Sequence, residues 1–176
     1  DRAARQTLGG RLASRVFSAP IRAVLGATSY QQACALSLER TGRSLSLQAW
    51  NICAKIREVD AFVRANAGGD RLREAHPELA FAALRGDQAI GPNKRTAAGR
   101  TLRLSVVTAH GVTNADAGIR AARKAAGGAG FSAYDDWLDA LALAVGFSRA
   151  AGVDQIPVKE TRDALGLPMH IHVPRL

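Results

Sequence analysis

The chain has 176 residues, 47% hydrophobic and 22% charged, the composition of a globular protein with room for a single domain and its core. Twenty-four basic residues oppose fifteen acidic ones, for a net charge of +9, and twenty of the basic ones are arginine. No apolar run is long enough to span a bilayer, and the basic, glycine-broken opening DRAARQTLGGRLASR is not a signal peptide, so the reading is cytoplasmic with no membrane partner.

In chain order, SRVFSAPIRAVL (14–25) reads as a short extended segment or strand stopped by Pro20. Ser29 and Gln32 have capping-box spacing and open a helix that Gly42 ends. Ser46 can cap a second helix, in which Ile52, Ile56, Val59 and Val63 recur at helical spacing as a core stripe, while Lys55, Arg57 and Glu58 share a solvated face. EAHPELAFAAL (74–84) reads as a short buried strand, Pro77 being placed at its start. Thr96 can cap a helix running to about His110, and an alanine-rich helix around ADAGIRAARKAAG ends in a flexible GGAG. The helix FSAYDDWLDALALAVG follows, and DQIPVKETRDALGLPMHIHVP gives two short strands around a turn. Cys34 and Cys53 lie in separate helical patterns, which suits free thiols rather than a disulfide or zinc site. About five helices against three or four short strands leave the strands without enough partners, so an incomplete domain with strands upstream of Asp1 is expected.

Charge is unevenly spread. Residues 1–38 carry five arginines against Asp1 alone, and residues 88–134 carry Lys94, Arg95, Arg100, Arg103, Arg120, Arg123 and Lys124 against Asp116 alone. Such regions suit a polyanion, making nucleic acid the expected partner, although a solvated basic surface has the same sequence.

The candidate chemistry lies in the carboxylates. Ser132 and Asp135 stand in the S-x-x-D relation of a capping box, and Asp136 suits the positive end of the helix dipole. Asp139, one turn deeper, is left over, and with Asp135 and Asp136 it lies on one side of the helix end. Clustered carboxylates need a compensating cation, and hard oxygen ligands suit Mg²⁺ or Mn²⁺; the competing account is an acidic helix end facing solvent. Glu78, a carboxylate at the start of a buried strand, is expensive there without a partner, and His76 beside it could be a proton shuttle; the competing and preferred account is that both flank the strand as surface groups. His170 and His172 form an H-x-H pair without a third ligand at useful spacing. No Gly-rich phosphate loop, G-x-S-x-G or Cys/His nucleophile pattern is present.

Together, DRAAR, VFSAP, LSLQAWNICAKIREVDAFVR, EAHPELAFAAL, DDWLDALALA and RDALGLPMHIHVP resemble the family called domain of unknown function 429, regarded as predicted nucleases of ribonuclease H-like fold. The resemblance implies an α/β fold with a mixed sheet and flanking helices, here the C-terminal part of such a domain, helix-rich and lacking its first strands. It implies metal-dependent phosphodiester hydrolysis, with two metals polarising the phosphate and activating water. The family's H-P-E glutamate falls on Glu78 and its late aspartate cluster on Asp135, Asp136 and Asp139, the catalytic expectation resting on Glu78, Asp136 and Asp139. The glycine-flanked first-strand aspartate and the Asp-x-Pro strand of the family are not in these residues, which puts activity in doubt. Cys53-Ala54 where the family has proline, and His172 in the closing strand, are smaller departures. The alternative on the same fold is a non-catalytic module that binds nucleic acid or protein. Oligomeric state is not legible.

Overall fold

Three side-chain caps start helices in the computed structural model, which describes residues 1–66, 72–127, 133–159 and 161–176. Ser29 accepts a hydrogen bond from the Gln32 N–H and starts helix α2 (Tyr30–Thr41), which Gly42 ends in the left-handed conformation at φ 69°. Ser46 accepts from the Ala49 N–H and starts α3 (Leu47–Ala65), and Thr96 accepts from the Gly99 N–H and starts α5 (Ala97–Ala109). These caps stand where the sequence spacing puts them. The remaining helices are α1 (Arg2–Leu8), α4 (Pro77–Ala83), α6 (Ala115–Ala125) and α7 (Tyr134–Arg149), with 3-10 turns at Gly10–Arg15 and Arg22–Gly26.

The chain is helix-rich with a small sheet. Strands β1 (Gly152–Ile156) and β2 (Ile171–Arg175) pair antiparallel, Asp154 opposite Val173, as the tail pattern suggests. A single parallel bridge joins Ala75 to His172. Where three or four strands of a mixed sheet are expected, the described residues form this one pair.

Two expectations about individual elements are corrected. The segment PELAFAA is helix α4 rather than a strand, because Pro77 takes the first helical position, where its missing N–H breaks no bond. In α3 the buried side chains are Ala49 and Cys53, whereas Ile52 and Val59 are exposed. Small residues let that face approach the Arg22–Gly26 turn and α2 closely, so the larger aliphatic side chains face outward. The GGAG expectation falls largely on residues outside those described.

The described residues form two compact units, one of residues 1–2 with 16–73 and one of 3–15 with 74–176. In the first, Val24, Ala27, Ala33, Leu45, Ala49 and Cys53 form the core, and Asp60 receives Arg22 at 2.5 Å and Arg64 at 3.0 Å. In the second, α7 packs against α4, α5, α6 and β2. Phe81, Val107, Leu138 and Ala142 lie at the centre of its core. This second unit holds every carboxylate that the sequence singles out.

Candidate functional site

Glu78 sits at the second position of α4, and its backbone N–H donates to Nδ1 of His76, the helix cap, at 3.3 Å. Glu78 is 7% exposed, so its charge must be met inside the protein. Two arginines meet it. Nη2 of Arg103 donates to Oε1 at 2.6 Å, and Nη1 of Arg15 donates to Oε2 at 2.9 Å. Arg103 projects from α5 with no exposed surface, lies 5.4 Å over the Phe81 ring, and donates from Nη1 to the carbonyls of Pro92 and Gly99. Arg15, at the end of the 3-10 turn Gly10–Arg15, donates to the carbonyls of Ile90, Gly91 and Pro92.

These guanidinium groups therefore do two jobs. They bind both oxygens of Glu78, and they fasten the 90–92 backbone. Just beyond it, Asn93 accepts at its carbonyl from the Thr96 N–H and hydroxyl, and its side chain accepts from the Arg95 N–H. Gly99 makes this packing possible, because a Cβ there would stand 1.9 Å from the Asn93 carbonyl oxygen. Lys94 is carried by this fixed turn, and its Nζ donates to Asp139 Oδ2 at 2.5 Å.

Asp139 and His76 respond to the same neighbours. Burial pushes the Asp139 carboxyl above the usual carboxylate range, the Lys94 hydrogen bond and charge pull it down, and the negative charge of Glu78 adds to the upward push. Burial pushes His76 below its ordinary value against the opposing pull of Glu78 and Asp139. The imidazole is thus neutral near pH 7. Glu78 from α4 and Asp139 from α7, far apart in sequence, belong with His76 and Lys94 to one electrostatic cluster.

The other two aspartates have different partners. Asp136 is exposed, and its Oδ2 accepts from the Ala133 N–H at 3.1 Å, so Asp136 is the capping carboxylate. The expected cap was Asp135 with Ser132, and Ser132 lies outside the described residues. Because α7 starts at Tyr134, its third position falls on Asp136. Asp135 faces Arg100, whose Nη2 is 3.7 Å from Oδ1, an oxygen that is buried without a hydrogen bond. Arg100 in turn lies 4.8 Å over the Tyr134 ring. The three aspartates thus divide among a cap, an arginine pair and the Glu78 cluster.

Among the described residues no group of three or more His, Cys, Asp or Glu side chains is arranged to hold a metal. Asp139 by itself is one hard oxygen donor, and its bonded partner is the Lys94 ammonium, so these side chains do not make up a ligand set for a divalent ion. Glu78 is a neighbouring negative charge whose two oxygens are engaged by Arg15 and Arg103. His170 and His172 touch edge to face with ring centres 4.6 Å apart, and His172 Nδ1 lies 3.2 Å from the Glu74 carbonyl oxygen. In the first unit, Lys55 pairs with Glu58 and Arg57 donates to the Leu25 carbonyl.

Arg15, Lys94 and Arg103 escape the sequence reading as site residues. For Arg103 a signal exists: it shares its buried face with Gly99, Val106 and Val107, and an arginine on such a face demands a carboxylate. For Arg15 and Lys94 no local pattern marks the role.

The family model described as Protein of unknown function (DUF429) matches residues 1–161 of the chain. No curated protein and no solved structure matches it.

Proposed function

The chain belongs to the DUF429 family, and from that premise we propose that it contributes to a metal-dependent phosphodiester hydrolase of ribonuclease H-like type acting on nucleic acid. The observation that carries this reading is the convergence of Glu78 and Asp139, from separate helices, with Lys94 and neutral His76. Mg²⁺ or Mn²⁺ is the cofactor that the resemblance implies, and Asp139 is the residue of this chain that would contribute to holding it; such an ion would supply polarisation of the phosphate and activation of water.

The chain's own groups do the rest. Asp139 supplies the negative charge. Glu78, fixed by Arg15 and Arg103, keeps a second negative charge beside Asp139 at a constant position. Lys94 supplies a mobile positive charge suited to a phosphate oxygen. Asp136 and Asp135 support the site by capping α7 and by joining it to α5 through Arg100. The basic excess of residues 88–134 supports a polyanionic substrate and the salt-sensitive affinity that goes with one.

The test uses labelled single-stranded and duplex DNA and RNA, incubated with the chain and with Asp139→Asn in Mn²⁺ or Mg²⁺. The reading expects metal-dependent cleavage that falls by at least about a hundred-fold in the variant, the scale of losing one group that acts on the transition state. Cleavage unchanged by Asp139→Asn removes that residue from the chemistry. Salt-dependent binding without cleavage in either protein replaces the enzyme by the non-catalytic nucleic-acid-binding module.

A further inference from the structure

Helix α3 turns its small side chains toward its own unit and its larger ones away from it. Ala49 and Cys53 are buried on the side that meets the Arg22–Gly26 turn and α2, whereas Ile52, Val59 and Phe62 are 46%, 55% and 56% exposed. With Lys55 these side chains make a stripe at positions 52, 55, 59 and 62, the alternating three- and four-residue spacing of the a and d positions of a coiled-coil seam. Apolar side chains gathered on one exposed helix face mark a contact surface, and seam spacing specifies a second helix as the element that closes it.

The order of residues along the stripe is self-complementary. In an antiparallel pair of copies centred near residue 57, each a position meets a d position. Ile52 then packs on the partner subunit's Phe62, and the aliphatic stem of Lys55 lies on the partner subunit's Val59. Charge agrees with this arrangement. Lys55 and Glu58, both exposed, pair at 3.2 Å within one copy. A two-fold axis through the seam gathers two lysines and two glutamates, each glutamate standing between its own lysine and the partner's. The contact is therefore neutral on a chain whose net charge is +9, and the general repulsion between copies has no local source there. A parallel pair would instead set the two copies of Lys55 against each other in one layer. A polyanion meets no net charge on this face.

We propose that the α3 stripe of Ile52, Lys55, Val59 and Phe62 is a self-association face, through which two copies of the chain join as an antiparallel, two-fold symmetric helix pair. The proposal is independent of the hydrolase reading. One helix pair of this length stands at the small end of protein interfaces, so the dimer is weak, with a Kd of about 10–100 µM.

Sedimentation equilibrium of the chain up to about 0.5 mM, well above that Kd, reads the association. Val59→Lys sets a second ammonium against the partner's Lys55 and should weaken the dimer by at least about ten-fold. Because Val59 is exposed, this variant keeps its fold, which circular dichroism checks. Val158→Lys, which adds the same charge at an exposed valine outside α3, should leave the association unchanged. Orientation is read by oxidising a mixture of Ile52→Cys and Phe62→Cys chains, each in a Cys34→Ser background with Cys53 buried, and weighing the products. The antiparallel pair should give mainly the mixed disulfide, because two copies of residue 52 lie about 15 Å apart along it. A chain that stays monomeric at the highest concentration overturns the proposal, as does association that Val59→Lys leaves intact or that Val158→Lys weakens equally. Disulfides between like chains in excess of the mixed product overturn the antiparallel pairing.

Discussion

Replacing Glu78 by Gln removes the negative charge that two arginines share while keeping the shape of the side chain. Glu78 is 7% exposed and Arg103 is 0% exposed, so the Arg103 guanidinium would be left buried without a counterion. Removing one member of a buried ion pair costs about 3–5 kcal/mol. Gln can still accept one hydrogen bond, and Arg103 keeps the Pro92 and Gly99 carbonyls, which puts the loss near the lower end, about 3 kcal/mol. Arg15 contributes less to that figure because its side chain is 20% exposed and water can take over. The assay is urea unfolding followed by tryptophan fluorescence in a Trp50→Phe background, so that Trp137, in the unit that holds Glu78, is the reporter. Glu78→Leu combined with Arg103→Met should recover more than half of the loss, because an apolar pair no longer leaves a buried charge. A Glu78→Gln loss below about 1 kcal/mol, the value of a surface pair, would refute the buried-triad account.

Further outcomes follow from the same contacts. Gly99→Ala should destabilise the second unit by about 1–3 kcal/mol in the same unfolding assay, since its Cβ would meet the Asn93 carbonyl oxygen at 1.9 Å. Under native conditions a thiol reagent should label Cys34 and spare Cys53: Cys53 is 1% exposed and its thiol is pushed up by burial, whereas hydrogen bonds from Ser44 and Tyr30 lower Cys34. Mass mapping of the labelled peptides checks this. Burial and the hydrogen bond to Asp116 push the Tyr134 hydroxyl up to about 12. A folded-state value above the unfolded one makes a contribution to stability that is present below pH 10 and lost as the pH rises through about 12. Alkaline unfolding of Tyr134→Phe should therefore lack the part of the pH dependence seen in that window by the wild-type chain.

The elements legible in the sequence are those whose chemistry is local. Ser29, Ser46 and Thr96 each accept from an N–H three residues on, and Gly42 ends its helix without a Cβ penalty, so a few adjacent residues carry the whole signal. Helix α4 was legible only as something buried. Every residue from Glu78 to Ala83 is enclosed, and a six-residue run buried on all sides has no polar face to reveal a period of 3.6. In α3 two stripes compete, and the small Ala49 and Cys53 win the core over Ile52 and Val59 because close approach rather than side-chain size decides the contact. At the site, the need for compensation of Glu78 follows from its place in an apolar run. Its partners do not, because Arg15 and Arg103 lie 63 and 25 residues away. The same distance in sequence hides Lys94 from Asp139, 45 residues apart. Asp139 was singled out by elimination, whereas Asp136 proves to be the cap that Asp135 was expected to be.

The claim on which the functional account turns is that Asp139 contributes to holding a divalent cation beside the Glu78, His76 and Lys94 cluster. Paramagnetic broadening by substoichiometric Mn²⁺ in the ¹⁵N-labelled chain locates the ion directly. The account predicts that the amides of Asp139, Glu78, His76 and Lys94 broaden first and recover their intensity in Asp139→Asn. Broadening that centres elsewhere in the chain, or that persists unchanged in Asp139→Asn, would contradict it.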